Sequence, residues 1–165
     1  MRAVTIFGSN TGDRFALIES AVRRLASRGG IVADSSFYET EPWGFECEDY
    51  FLNRVTVFET PLSPVEFLHF CLDTERELGR VRQTGGARYS SRPIDIDLLF
   101  CDGLVMESEE LTLPHPRLCE RNFVLAPLAE IMPNFIHPVN GRSIAELAAA
   151  CPDGSAVKRV VLPNR

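Results

Sequence analysis

The stretch Arg92-Pro93-Ile94-Asp95-Ile96-Asp97-Leu98-Leu99-Phe100 decides how the rest of the chain is read. Side chains alternate along a strand, so Asp95 and Asp97 point to one face while Ile94, Ile96 and Leu98 point to the other. Two aspartates on an exposed edge strand would show the same pattern. Aspartate is poor in strands, however, and Leu99 and Phe100 read as part of a central one. Like charges stacked on one strand repel unless something positive lies between them. A pair of divalent cations fills that role, since Mg²⁺ takes one or two carboxylates together with substrate phosphates.

Upstream of this strand, residues 80–92 carry four arginines and no acid. A glycine-bearing loop of arginines can close over a polyphosphate, because the guanidinium fork matches phosphate oxygens. It can also be an ordinary solvated loop. Joined to Asp95 and Asp97, it makes a phosphoryl-transfer constellation. Downstream, His115 lies between Pro114 and Pro116, which fix its backbone. It can hydrogen-bond phosphate, carry a proton or be structural. Gly8-Ser9-Asn10-Thr11-Gly12-Asp13 reads as a glycine turn between strand and helix, and an ordinary capped turn explains it as well as a phosphate loop does. Phe51 and Asn53 share one face of a strand, where an aromatic beside an amide could stack on a flat heterocycle or simply pack in the core.

Charge narrows the choice. The 165 residues hold 17 basic and 23 acidic side chains, a net charge of −6, which opposes general nucleic-acid binding. Lys158 is the only lysine, which argues against a Schiff-base enzyme, and without a G-K-[ST] sequence a Walker-type P-loop is absent. Phosphate must be handled by arginine and metal. No apolar run is long enough for a membrane span or a signal-peptide core. Cys47, Cys71, Cys101, Cys119 and Cys151 are widely spaced, so free thiols in a cytoplasmic protein are expected.

Without repeats or linkers, residues 1–165 read as a single domain. Strands are expected at Ala3–Phe7, Ile31–Tyr38, Phe51–Glu59 and Ile94–Cys101. A short partner at Leu104–Met106 should fold back across the Asp102-Gly103 turn, and a last strand is expected at Val157–Leu162. Helices should follow Asp13 and Ser63, with others at Glu120–Ile131 and Ile144–Ala150. This order argues α+β architecture, a ferredoxin-like βαββαβ sandwich with additional strands and helices.

Six motifs occur in order: Gly8-Ser9-Asn10-x-Gly12, Ser36-Phe37-Tyr38-Glu39-Thr40-x-Pro42-x-Gly44, Phe51-Leu52-Asn53, Glu75-x-x-x-Gly79-Arg80-x-Arg82, Arg92-x-Ile94-Asp95-Ile96-Asp97-Leu98, and Leu113-Pro114-His115-Pro116-Arg117 with Arg121 and Phe123-Val124-Leu125. Together they resemble the 6-hydroxymethyl-7,8-dihydropterin pyrophosphokinases of folate biosynthesis, over essentially the whole chain. The resemblance implies transfer of pyrophosphate from ATP to the pterin hydroxymethyl group, with release of AMP. It implies two Mg²⁺ ions on Asp95 and Asp97, and three mobile loops over the site, near Ser9–Asp13, Trp43–Tyr50 and Arg82–Arg92. Phe51 and Phe123 would stack the pterin, with Thr40, Pro42, Trp43 and Asn53 around its edge. ATP would meet Glu75, Arg82, Tyr89, Arg92, Leu98, Thr112, His115, Pro116 and Arg121. Arg82 and Arg92 would assist transfer. A monomer without nucleic-acid or membrane partners is expected. The chain departs from many members at Tyr89-Ser90-Ser91, and it places Glu110 and Gln83 where some relatives have basic groups.

Two other readings compete. A nucleotidyltransferase would set its Gly-Ser and Asp-x-Asp motifs close together, whereas Gly8-Ser9 and Asp95 are far apart here. An RNA-binding sheet would need a basic face with paired aromatics, and no such motif occurs.

Overall fold

The computed structural model describes residues 1–41, 50–80 and 93–161. Its centre is β1 (Arg2–Ser9), an almost wholly buried strand flanked by β4 (Phe51–Glu59) and β5 (Asp95–Cys101). Both pairings are antiparallel. On the far side of β4 lie β2 (Gly30–Asp34) and β3 (Phe37–Thr40), and β8 (Val157–Val160) adds to β3. With helices α1 (Arg14–Ala26) and α2 (Pro64–Glu77) as crossovers, the order β5-β1-β4-β2/β3 is the ferredoxin-like arrangement expected from the sequence.

Local chemistry explains the helix starts. The Asp13 side chain accepts a hydrogen bond from the Ala16 amide and caps α1. Ser63 and Glu66 form a reciprocal capping box ahead of Pro64, so α2 begins where the sequence places it. Ser143 and Glu146 repeat the device for α4 (Ile144–Ala149). Helix α3 (Asn122–Ile131) starts two residues later than expected, after a 3₁₀ turn at Leu118–Glu120.

The sheet is covered on both faces. Ile18, Ala21, Val22 and Leu25 of α1, with Phe67 and Cys71 of α2, pack on Ala3, Phe7, Leu52, Ile96 and Leu98. On the opposite face Val124, Leu125 and Leu128 of α3 and Ile144 and Leu147 of α4 meet Val4, Ile6, Val55, Val57, Leu99 and Phe100. An irregularity between Val4 and Thr5 skips one residue of β5, which is why Leu99 and Phe100 both turn toward α3.

Three expectations are corrected. Ile31–Tyr38 is two strands: Ser35 breaks the run, its backbone N–H donating to the Val55 carbonyl and its hydroxyl accepting from the Val55 N–H. The strand after Asp102-Gly103 is β6 (Met106–Glu107), and it pairs with β7 (Thr112–Leu113) instead of folding back on β5. The turn itself holds Asp102 at φ 49°, with its carboxylate accepting from the Arg2 amide. Finally, β5 ends the sheet and is not central. It is buried nonetheless, because α2 and the segment around residues 111–118 pack beside it.

Candidate active site

Counting along each strand from the core residues that face α3 puts Gly8 of β1, Phe51 and Asn53 of β4, and Asp95 and Asp97 of β5 on that same face. In register, Gly8 pairs with Asn53 on one side and with Asp95 on the other. Gly8 therefore lies inside the strand, not in the turn, which begins after Ser9; Gly12 carries the positive φ of 67°. The Asn53 amide and the Asp95 carboxylate thus stand on the two strands flanking a residue with no side chain.

The Asn53 side chain is buried, and its Nδ2 donates to Thr40 Oγ1 at 2.8 Å. Its Oδ1 is left facing the space over Gly8, 3.2 Å from where a Cβ on Gly8 would lie. Asn53 presents an acceptor there, and Thr40 holds it in that orientation. Phe51 Cδ1 borders the same space at 3.6 Å. Phe123 stands in the first turn of α3 against the core of that face, with the Arg121 guanidinium 5.6 Å from its ring centroid.

Beside β5 runs a cleft of about 390 Å³, between α2 and the residues preceding α3. Glu75, Leu98, Thr112, His115, Pro116 and Arg121 all line it, together with Asp95 and Asp97. Two sequence candidates thereby acquire specific roles. The buried Glu75 carboxylate accepts the Ile96 amide at 2.7 Å through Oε1, tying α2 to β5. His115 Nδ1 accepts the Arg117 amide at 3.2 Å, so the neutral ring carries its proton on Nε2. Burial, reinforced by the positive charge of Arg121 and opposed by Asp95, pushes the His115 pKa down to about 4. The ring is therefore neutral at pH 7 and offers Nε2–H as a hydrogen-bond donor.

In the sequence Arg80 is one of the four arginines of residues 80–92, with no role of its own. Its Nη1 donates to both Glu75 Oε1 and Asp95 Oδ1 at 2.5 Å. Burial weakens its charge, but Asp95 and Glu75 outweigh burial and raise its pKa. Arg121 Nη1 lies 3.8 Å from Asp97 Oδ2. Among the described residues, Arg80 thus meets Asp95 and Arg121 approaches Asp97. Nothing in the local sequence marks Arg80 apart from Arg82; only the end of α2 at Gly79 aims it inward. Glu110 stands on the rim of the cleft, paired with His69 at 2.6 Å. Pro42, Trp43, Arg82, Tyr89 and Arg92 lie outside the described residues, as do the whole Arg82–Arg92 segment and all of Trp43–Tyr50 except Tyr50.

A family model described as 7,8-dihydro-6-hydroxymethylpterin-pyrophosphokinase matches residues 4–133. The chain belongs to this family. It is 44% identical over 161 residues to the 2-amino-4-hydroxy-6-hydroxymethyldihydropteridine pyrophosphokinase of Methylorubrum extorquens, covering 96% of this chain and 98% of that one. Identity to the Porphyromonas gingivalis enzyme of the same name is 45% over 133 residues, 79% of this chain and 90% of the relative. A crystal structure of Plasmodium falciparum HPPK-DHPS with pteroate superposes with a TM-score of 0.71 at 17% identity. That match covers 90% of this chain and 42% of the longer one, and it bears on the fold alone. The pyrophosphokinase is an ATP-dependent diphosphotransferase that acts on hydroxymethyldihydropterin in folate biosynthesis. Among the described residues no helix is long and apolar enough to cross a membrane, and the four described cysteines are free thiols.

Proposed function

We propose that the cleft beside β5 holds ATP, that the surface bounded by Phe51, Asn53, Thr40 and Phe123 holds the dihydropterin, and that pyrophosphate passes between them across Gly8. The observation that carries this reading is the register of β1, which sets Asn53 and Asp95 on opposite sides of Gly8.

Asp95 and Asp97 would hold two Mg²⁺ ions together with the ATP phosphates. The donor set fits: two carboxylates face one cleft, and among the described residues no group of three or more His, Cys, Asp or Glu side chains could hold a metal. Oxygens from the nucleotide and water must complete the coordination, as Mg²⁺ prefers. Bound with ATP, Mg²⁺ would neutralise phosphate charge as it develops.

The chain's own residues supply the rest. The Ile96 amide points away from β1 to Glu75, so Leu98, two residues on, presents its backbone to the cleft in the same direction. A strand edge of this kind offers donor and acceptor to the edge of a flat base. His115 Nε2–H and Arg121 donate to phosphate oxygens, and Arg80 exchanges Asp95 for phosphate. Arg82 and Arg92 enter the proposal through their place in the motif. The pterin hydroxyl oxygen attacks the β-phosphorus, the bond from that phosphorus to the α,β-bridging oxygen breaks, and AMP departs. The hydroxyl proton leaves to water, and positioning and electrostatics provide the acceleration.

The test is to mix protein, MgATP and 6-hydroxymethyl-7,8-dihydropterin and follow AMP by chromatography. AMP should appear only with the pterin present. Pterin-independent AMP, or none, overturns the reading.

A further inference from the structure

We infer that Gly8 is a specificity-determining residue: its bare Cα is the floor on which the acceptor lies, and the size of residue 8 decides which acceptors enter. The inference rests on the placement of pterin and ATP proposed above. Three observations carry it. Gly8 is the only residue of β1 between Asn53 and Asp95 in the ladder, and it faces the same side as both. Strands lie about 4.8 Å apart, so the amide of Asn53 and the carboxylate of Asp95 are separated by roughly one strand on each side of Gly8. A methyl group at position 8 would meet Asn53 Oδ1 at 3.2 Å and Phe51 Cδ1 at 3.6 Å, two groups proposed to touch the ring.

Backbone conformation does not require glycine here. Gly8 is a strand residue, and its φ lies outside the left-handed region, in contrast to Gly12, Gly79 and Gly141. Nor does it permit close approach of two backbones, as Gly29 does against the Glu59 carbonyl, where a Cβ would come within 2.0 Å. The neighbours that a Gly8 side chain would meet are the side chains of Asn53 and Phe51, on the same face of the adjacent strand β4. The glycine is therefore explained by the space it leaves over the sheet. That space joins the ring-binding surface to the phosphate end, and the hydroxymethyl arm must cross it to reach the β-phosphorus.

The experiment compares the wild type with Gly8→Ala and Gly8→Val in steady-state kinetics, and measures MgATP binding separately by calorimetry. One added methyl in a tight apolar slot changes binding by about tenfold or more. Gly8→Ala should raise the KM for 6-hydroxymethyl-7,8-dihydropterin by that factor, Gly8→Val should abolish detectable pterin binding, and the MgATP Kd should stay within about twofold. Thermal unfolding checks that the variants are folded. In the wild type, a series of pterins with growing 6-substituents should show a sharp loss of binding with size, which tests the floor even if a variant does not fold. An unchanged pterin KM in folded Gly8→Ala, an equal loss of MgATP binding, or indifference to substituent size overturns the inference. A wild type that makes no pterin-dependent AMP fails the placement itself, a different and distinguishable result.

Discussion

Glu75 Oε1 accepts the backbone amide of Ile96 at 2.7 Å, and the same oxygen receives Arg80. One carboxylate thereby fixes the register of α2 against the strand that carries both aspartates, and it anchors the arginine that neutralises one of them. Although lining the cleft, Glu75 is 1% exposed. Its foremost work is to hold β5 in place.

Glu75→Ala should therefore act first on stability. Removing one partner from a buried charged hydrogen-bond network costs about 2–4 kcal/mol. Glu75→Gln keeps an acceptor for Ile96 and should lose less. Urea unfolding of the three proteins measures this. An unchanged midpoint in Glu75→Ala, accompanied only by a higher KM for ATP, would show a nucleotide contact and no anchor.

The two aspartates should behave in the opposite way. Asp95 and Asp97 face the cleft from a strand whose other side builds the core. Asp97→Ala should lower turnover by about a hundredfold or more while changing stability by no more than about 0.5 kcal/mol. Chelation of Mg²⁺ should abolish AMP formation in the wild type, and added Mg²⁺ should restore it. Loss of folding in Asp97→Ala would assign the residue a structural role.

Much of this was legible in the sequence, and the parts that were not share a cause. Phe51–Glu59 is legible with its observed ends because it is rich in β-branched and aromatic residues, Phe51 and Val55–Phe58, and Pro61 follows closely. The Ser63-Pro64 start of α2 follows from capping chemistry local to four residues. The facing of Asp95 and Asp97 follows from a period of two. Ser36, in contrast, is drawn out of the strand pattern by Glu130, which accepts both its amide and its hydroxyl from 94 residues away. Met106 and Glu107 pair forward with Leu113 and Thr112, a choice of partner that alternation cannot express. Arg80 and Gly8 enter the sequence only as members of an arginine loop and a glycine turn, because their individual significance lies in which residues stand opposite on other elements.

Phe123 can be separated from the nucleotide end by its effect on each substrate. It sits in the first turn of α3, with the Arg121 guanidinium against its ring. Stacking a flat heterocycle on an aromatic ring is worth about 1–3 kcal/mol, roughly ten- to a hundredfold in affinity. Phe123→Ala should weaken pterin binding by that factor and MgATP binding by much less. Equal losses for both ligands would argue against stacking.

His115 predicts an acid limit to stability. Its ordinary pKa of 6.5 falls to about 4 in the folded protein, chiefly through burial. The unfolded chain therefore binds this proton more readily than the folded one between those values. Stability is unaffected by the group above about pH 7. It should decline as the pH falls from 6.5 toward 4, by at most about 3 kcal/mol, and level off below. His115→Asn keeps a side-chain acceptor for the Arg117 amide and removes the titration. Urea midpoints of wild type and variant, measured from pH 7.5 to pH 4, should converge as the wild type loses its advantage. His137 is also depressed by burial and is common to both proteins, so the difference isolates His115. Parallel profiles across that range would mean that His115 is protonated equally in the folded and unfolded chain. The burial-driven depression of its pKa would then be wrong.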